Sequence, residues 1–294
     1  MSDFYIFTEA YNCSDILKNC LKSFYKYHDD IVHVFGTKED LDNLSEFSKI
    51  KKIEIQKGDI IDFLYSMGHM GTAAIFAESI LKYSTVNNII HFDSDVIFKK
   101  ECISEIKNKL NEGFSLVGPP RPYKYNLNNR DDVRHMPDVV ATCFFGFKKD
   151  KITINNFEEL IQSIYARSFN GNPIIDFFDY VSFLIIENGG KIYNFDHNSV
   201  GGPDNYGNRN NKYGELNEDI DCGEWYIHFA GIGTGSKVYK KGYEKTDINY
   251  ANWALERYAV YKKLLENVEI KNIKINSERY ELYKKQLIID ESNI

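Results

Sequence analysis

Asp93 and Asp95 flank a single serine at the end of the apolar run NIIHF, residues 88–92. A carboxylate is costly to bury unless it is paired or binds a metal. Two of them at a strand end therefore call for a partner: a cation, a helix N-terminus or water. In an extended segment residues i and i+2 point the same way, so both carboxylates can face one hard cation. Mg²⁺ and Mn²⁺ prefer oxygen ligands, and Mg²⁺ takes one or two carboxylates together with phosphate oxygens. The plain alternative is a solvated turn.

Four other stretches carry residue types suited to chemistry. In the segment HFAGIGTGSK (228–237) an expected strand ends in a histidine and opens into a glycine-rich loop with a lysine. Glycines such as Gly231 and Gly233 let backbone N–H groups approach a phosphate, and Lys237 adds a point charge. His228 can complete a metal's ligand set, or be an ordinary core histidine at a tight turn. There is no GxxxxGK[ST], so this is not a Walker loop. Asp176 and Asp179 stand i, i+3 on an expected helix and share a face, where one could serve as a general base or both could simply be wet. The run MGHMGT (67–72), with His69, falls at an expected helix start that favours anions and polar ligands. Thr8, Ala10, Tyr11 and Asn12 follow the first expected strand and could hold a nucleobase by stacking and hydrogen bonds, or form an ordinary βα loop.

The elements that must position these residues alternate in the first half. FYIFTE (4–9), IVHVFG (31–36), KKIEIQ (51–56) and NIIHF (88–92) read as strands. SDILKNCLKSFYKY (14–27) reads as a helix with Ser14 as N-cap and Ile16, Leu17, Cys20, Leu21 and Phe24 on one face. Thr37 caps a short helix through Leu44 and Phe47, and 71–84 is a helix with a small, apolar face. This alternation predicts an α/β fold with a Rossmann-like, mainly parallel sheet flanked by helices. Ligands bind such sheets at the carboxyl ends of strands, where Asp93, Asp95 and the Thr8–Asn12 segment fall. The second half reads as helices at 103–111, 156–168 and 174–190, the last ending in a Gly pair. Its strands are 114–118, 139–147, 191–195 and 224–230. Long polar loops at 119–138 and 197–223 interrupt it. The expected organisation is one continuous α/β domain over 1–268, in parts 1–100 and 101–246 with a C-terminal helix at 247–268. A charged, solvated appendage follows at 269–294.

Composition narrows the class. The 294 residues and 43% hydrophobic content fit a folded globular chain. A formal net charge of -7 argues against a general nucleic-acid binder and leaves room for a local basic pocket. No apolar run reaches the length of a membrane span; Arg121, Lys124, Arg130 and Arg134 fit a solvated loop first, with an anionic acceptor or peripheral membrane lipid as the alternatives. The start MSDFYIFTEAYN lacks a basic n-region and an h-region, and the five cysteines form no CxxC pair. Both observations predict reduced thiols and a cytoplasmic location.

In their order, these motifs resemble the GT-A fold glycosyltransferases, which use nucleotide-sugar donors. The carriers are TEAYN, IIHFDSDVIF, VVATCFFGF, IIDFFDY and HFAGIGTGSK, spanning roughly residues 3–240. HFAGIGTGSK is similar to the His-Phe-x-Gly…Lys segment of glycogenin-like retaining enzymes. IIDFFDY is similar to the aspartate-bearing helix of the large inverting family. The resemblance implies Asp93 at the ribose and metal, and Asp95 and His228 on Mn²⁺ or Mg²⁺. It places the 231–236 segment and Lys237 at a diphosphate. Thr8, Ala10, Tyr11, Asn12, His69 and Ser94 would lie around the rest of the donor, with Asp176 or Asp179 facing the acceptor. The implied donor is a nucleoside-diphosphate sugar, UDP-sugar first, and the implied acceptor a glycan or glycoconjugate hydroxyl. FGTKED stands where many inverting enzymes carry an Asp-Asp-Gly-Ser-like signature, and the Lys-Pro-Trp that closes the glycogenin-like motif is absent. Two other readings stay open: a sugar nucleotidyltransferase, which would normally carry a basic Gly-rich loop after strand one, and a non-catalytic carbohydrate-binding protein.

Overall fold

A computed structural model describes residues 3–10, 13–55, 83–121, 139–140, 143–152, 185–186, 188–200, 221–242 and 248–288. In chain order the elements are β1 (Phe4–Glu9), α1 (Ser14–Tyr27), β2 (Val32–Gly36), α2 (Lys38–Asp42), β3 (Ile50–Glu54), β4 (Asn88–Phe92), β5 (Val96–Phe98), α3 (Ile103–Asn111), β6 (Leu116–Gly118), β7 (Pro120–Arg121), β8 (Val139–Val140), β9 (Phe144–Lys148), β10 (Ile192–Asn194), α4 (His197–Val200), β11 (Asp221–Cys222), β12 (Tyr226–His228), α5 (Ile232–Lys241), α6 (Ile248–Glu266) and α7 (Ser277–Ile288). The chain divides into two compact units, Met1–Tyr11 with Asp29–Asp93 and Cys102–Asp196, and Asn12–His28 with Ser94–Glu101 and His197–Ile294.

The first unit holds a seven-stranded sheet in the order β10-β6-β9-β4-β1-β2-β3. The strands β1 to β4 and the β6–β10 pair run parallel, and β9 runs against both of its neighbours. So the expected α/β class with a mainly parallel sheet holds, with one antiparallel strand inserted. Ile6, Phe7, Val34, Phe35, Ile89, Ile90, Phe145 and Phe147 are buried, as near-continuous apolar strands in a two-sided sheet require. The Thr37 hydroxyl accepts from the Asp40 N–H at 3.3 Å and caps α2 as its sequence predicts. The apolar face of α3 buries Ile103, Ile106 and Leu110. Gly189 has φ 69°, and the Gly190 N–H donates to the Ile185 carbonyl at 2.8 Å. That is the helix ending expected of the Gly pair.

The second unit is built around a three-stranded antiparallel sheet, β11-β12-β5. Helix α1 lays Ile16, Leu17, Cys20, Leu21 and Phe24 inward, the five residues its periodicity picks out. Its N-cap is Cys13 and not Ser14, which is itself helical and buried. The Phe98 N–H of β5 donates to the Ser23 hydroxyl at 2.9 Å, tying α1 to the sheet. Phe229, Tyr258, Tyr261 and Tyr283 form an aromatic core, with Phe229 stacked on Tyr283 at 4.7 Å. Tyr283 lies on α7 and is fully buried. Tyr280 and Leu287, also on α7, pack against the same cluster. Cys13, Cys20, Cys102 and Cys143 are in no disulfide. No described helix is long and apolar enough to cross a membrane.

Candidate functional site

Strand order fixes the first part of the site. From β1 the chain steps to β2 and β3 on one side, and β4 lies on the other. The carboxyl ends of β1 and β4 thus flank the point where the order reverses, which is where open α/β sheets bind ligands. Glu9 ends β1, and Asp93 follows β4 directly. The parallel register pairs Phe7 with His91, so Glu9 and Asp93, each two residues on, emerge on that same face. His91 is fully buried, with ring centroids 4.8 Å from Phe7 and 5.2 Å from Phe145. Its Nε2 stands 3.0 Å from Glu9 Oε2 and 3.9 Å from Asp93 Oδ1. The Asp93 N–H donates to the Cys143 carbonyl at 2.8 Å, which fixes the backbone where the carboxylate begins. Glu9, His91 and Asp93 each bring one ligand-type atom within 4.8 Å of the others.

The second unit positions the other carboxylate. Ser94 and Asp95 form a turn, not the extended continuation that the i, i+2 argument assumes. The reason is β5: it starts at Val96 and pairs antiparallel with β12, so the chain must turn to enter a different sheet. The register sets His228, the last residue of β12, opposite Val96. The Phe229 N–H donates to the Asp95 carbonyl at 3.0 Å. As a result Asp95 Oδ1 and His228 Nε2 lie 3.3 Å apart, with side chains 15% and 12% exposed. Two ligands on one octahedral ion at about 2.1 Å stand about 3 Å apart, so this spacing fits a shared cation. The Ser94 hydroxyl accepts from the Cys13 thiol at 3.4 Å.

The glycine-rich stretch is a helix and not a loop. Helix α5 begins at Ile232, with Gly231 as N-cap at φ 84°. A Cβ on Gly231 would lie 2.4 Å from the Trp253 ring, and one on Gly235 would lie 2.1 Å from the Ala254 carbonyl oxygen. Both glycines are therefore required by the close approach of α6. Gly233 is exposed, with nothing within 4 Å of where a Cβ would stand, and Lys237 is exposed in the second turn. The Ile232 N–H donates to the Phe229 carbonyl at 3.2 Å; the start of a helix with a lysine one turn on still suits an anion, by a different geometry from the expected loop.

Thr8 and Ala10 are both fully buried, and the Ala10 N–H extends the β1–β2 pairing by donating to the Phe35 carbonyl at 2.7 Å. Neither side chain is open to solvent. Tyr11, Asn12, His69, Asp176 and Asp179 lie outside the described residues. Glu9 and His91 are the site residues that sequence reading passed over. The usable signal was a histidine two positions before an aspartate in an otherwise apolar strand.

No family model matches the chain, and no curated protein matches it. Among solved structures the chain is similar to mouse xyloside xylosyltransferase 1 in its apo form, at 13% identity over 67% of this chain and 86% of that one, TM-score 0.45. It is also similar to an active-site mutant of LgtC, at 11% identity over 67% and 74%, TM-score 0.47. A third likeness is to galactosyltransferase LgtC in complex with donor and acceptor sugar analogs, at 9% identity over 67% and 74%, TM-score 0.48.

Proposed function

We propose that the chain is a metal-dependent glycosyltransferase that moves a sugar from a nucleoside-diphosphate sugar, a UDP-sugar first, to a hydroxyl of a glycan or glycoconjugate. The observation that carries this reading is the Asp93–Ser94–Asp95 segment at the carboxyl end of β4, beside the switch point, with His228 3.3 Å from Asp95. The covalent chain keeps Asp93 two residues from Asp95. Two carboxylates and one imidazole form an oxygen-rich donor set that suits Mn²⁺ or Mg²⁺. When bound, such an ion supplies Lewis-acid neutralisation of the diphosphate leaving group.

The protein's own residues then divide the remaining work. Asp93, Asp95 and His228 hold the cation, and Asp93 also reaches the ribose. The N–H groups at Gly231 and Gly233 and the Lys237 ammonium receive diphosphate oxygens, which places positive charge where the leaving group gains negative charge. Ala10, Tyr11 and Asn12 hold the base, with backbone groups standing in for the buried side chains of Thr8 and Ala10. Ser94 and His69 line the donor, and Asp176 or Asp179 accepts the proton of the attacking hydroxyl. Cleavage of the donor passes through an oxocarbenium-like transition state, so its barrier falls as the diphosphate's departure is stabilised.

A panel of UDP-, GDP- and CMP-sugars tests the reading. Hydrolysis or transfer of one donor with Mn²⁺, abolished by EDTA and by Asp95→Ala, is expected. Absence of turnover and of donor binding under all conditions would overturn it in favour of a non-catalytic carbohydrate-binding protein.

A further inference from the structure

The geometry points to His91 as a positioning residue that holds the Asp93 carboxylate in place for the cation, with Glu9 as the group that fixes His91. This rests on the proposed reading of Asp93 as a cation ligand. Three observations within the first unit lead to it.

The first is where the ring sits. His91 is fully buried in the middle strand of the sheet, between Phe7 and Phe145. A buried imidazole there would be replaced by an apolar side chain at no loss if its only task were to fill space, since both flanking rings are phenylalanines. The second is what the ring faces. Nε2 lies 3.0 Å from Glu9 Oε2, a hydrogen bond, and 3.9 Å from Asp93 Oδ1, an electrostatic contact. One nitrogen thus stands between two carboxylates carried by adjacent parallel strands. The third is the gradient of exposure: the side chains of His91, Glu9 and Asp93 are 1%, 13% and 24% exposed. Exposure rises outward from His91 to Asp93, so His91 supports Asp93 from its buried side.

The consequence is mechanical. The Asp93 backbone is pinned by the Cys143 carbonyl, but a carboxylate keeps two rotatable bonds beyond that point. A fixed polar group at its inner side removes some of that freedom before any ligand arrives. The Glu9 bond fixes the ring in turn, because Glu9 and His91 belong to paired strands of one rigid sheet. Partners of this outer kind change metal affinity by about 10–100-fold when removed.

Mn²⁺ binding to the full chain, followed by the EPR signal of the free ion, tests the proposal. His91→Phe keeps the ring volume between Phe7 and Phe145 and removes the nitrogen. It is expected to weaken Mn²⁺ binding by about 10-fold or more. His91→Gln, whose amide N–H can occupy the Nε2 position, is expected to restore affinity to within a few-fold of the wild type. Saturating Mn²⁺ should return kcat of His91→Phe close to the wild-type value, a split that a loss of folding would not give. Glu9→Met removes the carboxylate that holds the ring while sparing the core, and should weaken Mn²⁺ in the same direction even if His91→Phe fails to fold. Unchanged Mn²⁺ affinity in both His91→Phe and Glu9→Met, alongside its loss in Asp95→Asn, overturns the role of His91 and leaves the proposed function standing. Absence of Mn²⁺ binding by the wild type overturns both.

Discussion

The segment HFAGIGTGSK yields a prediction in which one chemical change has opposite signs two residues apart. Gly233→Ala and Gly235→Ala both add a methyl to α5. At Gly233 nothing lies within 4 Å of the new Cβ. That substitution gains the helix propensity of alanine, about 1 kcal/mol over glycine. At Gly235 the new Cβ would lie 2.1 Å from the Ala254 carbonyl oxygen, 2.7 Å from its carbon and 2.7 Å from the Tyr258 Cβ. Backbone atoms of α6 cannot swing aside as a side-chain end can, so α5 and α6 must separate. Overpacking of this kind costs about 1–3 kcal/mol, and the rigid obstacle argues for the upper end. Net of the propensity gain, Gly235→Ala should lose about 2 kcal/mol while Gly233→Ala gains about 1, a gap of about 3 kcal/mol. For a chain of this size that corresponds to roughly 6–12 °C in Tm, with Gly233→Ala the higher. Thermal unfolding followed by far-UV circular dichroism measures it. Equal melting temperatures, or a lower one for Gly233→Ala, would refute the packing role of Gly235 and return the segment to a loop-like reading.

Two further outcomes follow from buried polar groups. Burial, more than any other cause, pulls the His33 pKa below its usual 6.5, and Lys51 adds to this while the Ile6 carbonyl opposes it. The folded ring is thus the weaker proton acceptor, so the stability it contributes is complete above pH 6.5 and is lost as the pH falls through the window below it. His33→Gln should flatten the fall in urea-unfolding stability between about pH 7 and pH 5, and an unchanged slope would count against this. Lys99 is buried, and its ammonium donates to the Gly223 carbonyl at 2.9 Å and to Gln286 at 3.3 Å, joining the end of β5 to α7. Lys99→Met should cost about 1–3 kcal/mol in the same assay, and a cost near zero would show that water replaces the bond.

The first half of the fold was legible because its elements are locally determined. Strands β1, β2, β3 and β4 and helix α1 fall within a residue or two of where periodicity and capping place them, and α2 starts after its Thr37 cap but ends at Asp42, short of the expected Leu44 and Phe47. What was not legible depends on pairing between distant segments. Strand β5 is only Val96–Phe98 and reads as the tail of the run through β4, yet it belongs to another sheet because it pairs with β12. The direction of β9 is likewise a property of its neighbours, since VVATCFFGF has the same composition whichever way it runs. The glycines of HFAGIGTGSK suggested a loop because glycine is a poor helix former, but contact with Trp253 and Ala254 overrides propensity. Of the candidate residues, Asp93, Asp95 and His228 stand out by type and position in the sequence, and the structure sets Asp95 beside His228. Glu9 and His91 could not be joined, because only the β1–β4 register makes residues 82 positions apart into neighbours.

The central claim is that Asp93, Asp95 and His228 hold a divalent cation on which a nucleoside diphosphate is received. The most direct measurement is UDP binding by calorimetry with Mn²⁺ and with EDTA, on the wild type and on Asp95→Asn. The account predicts that Mn²⁺ tightens UDP at least tenfold in the wild type, about 1.4 kcal/mol, and has no effect in Asp95→Asn. UDP binding of equal strength with Mn²⁺ and with EDTA in the wild type would contradict it.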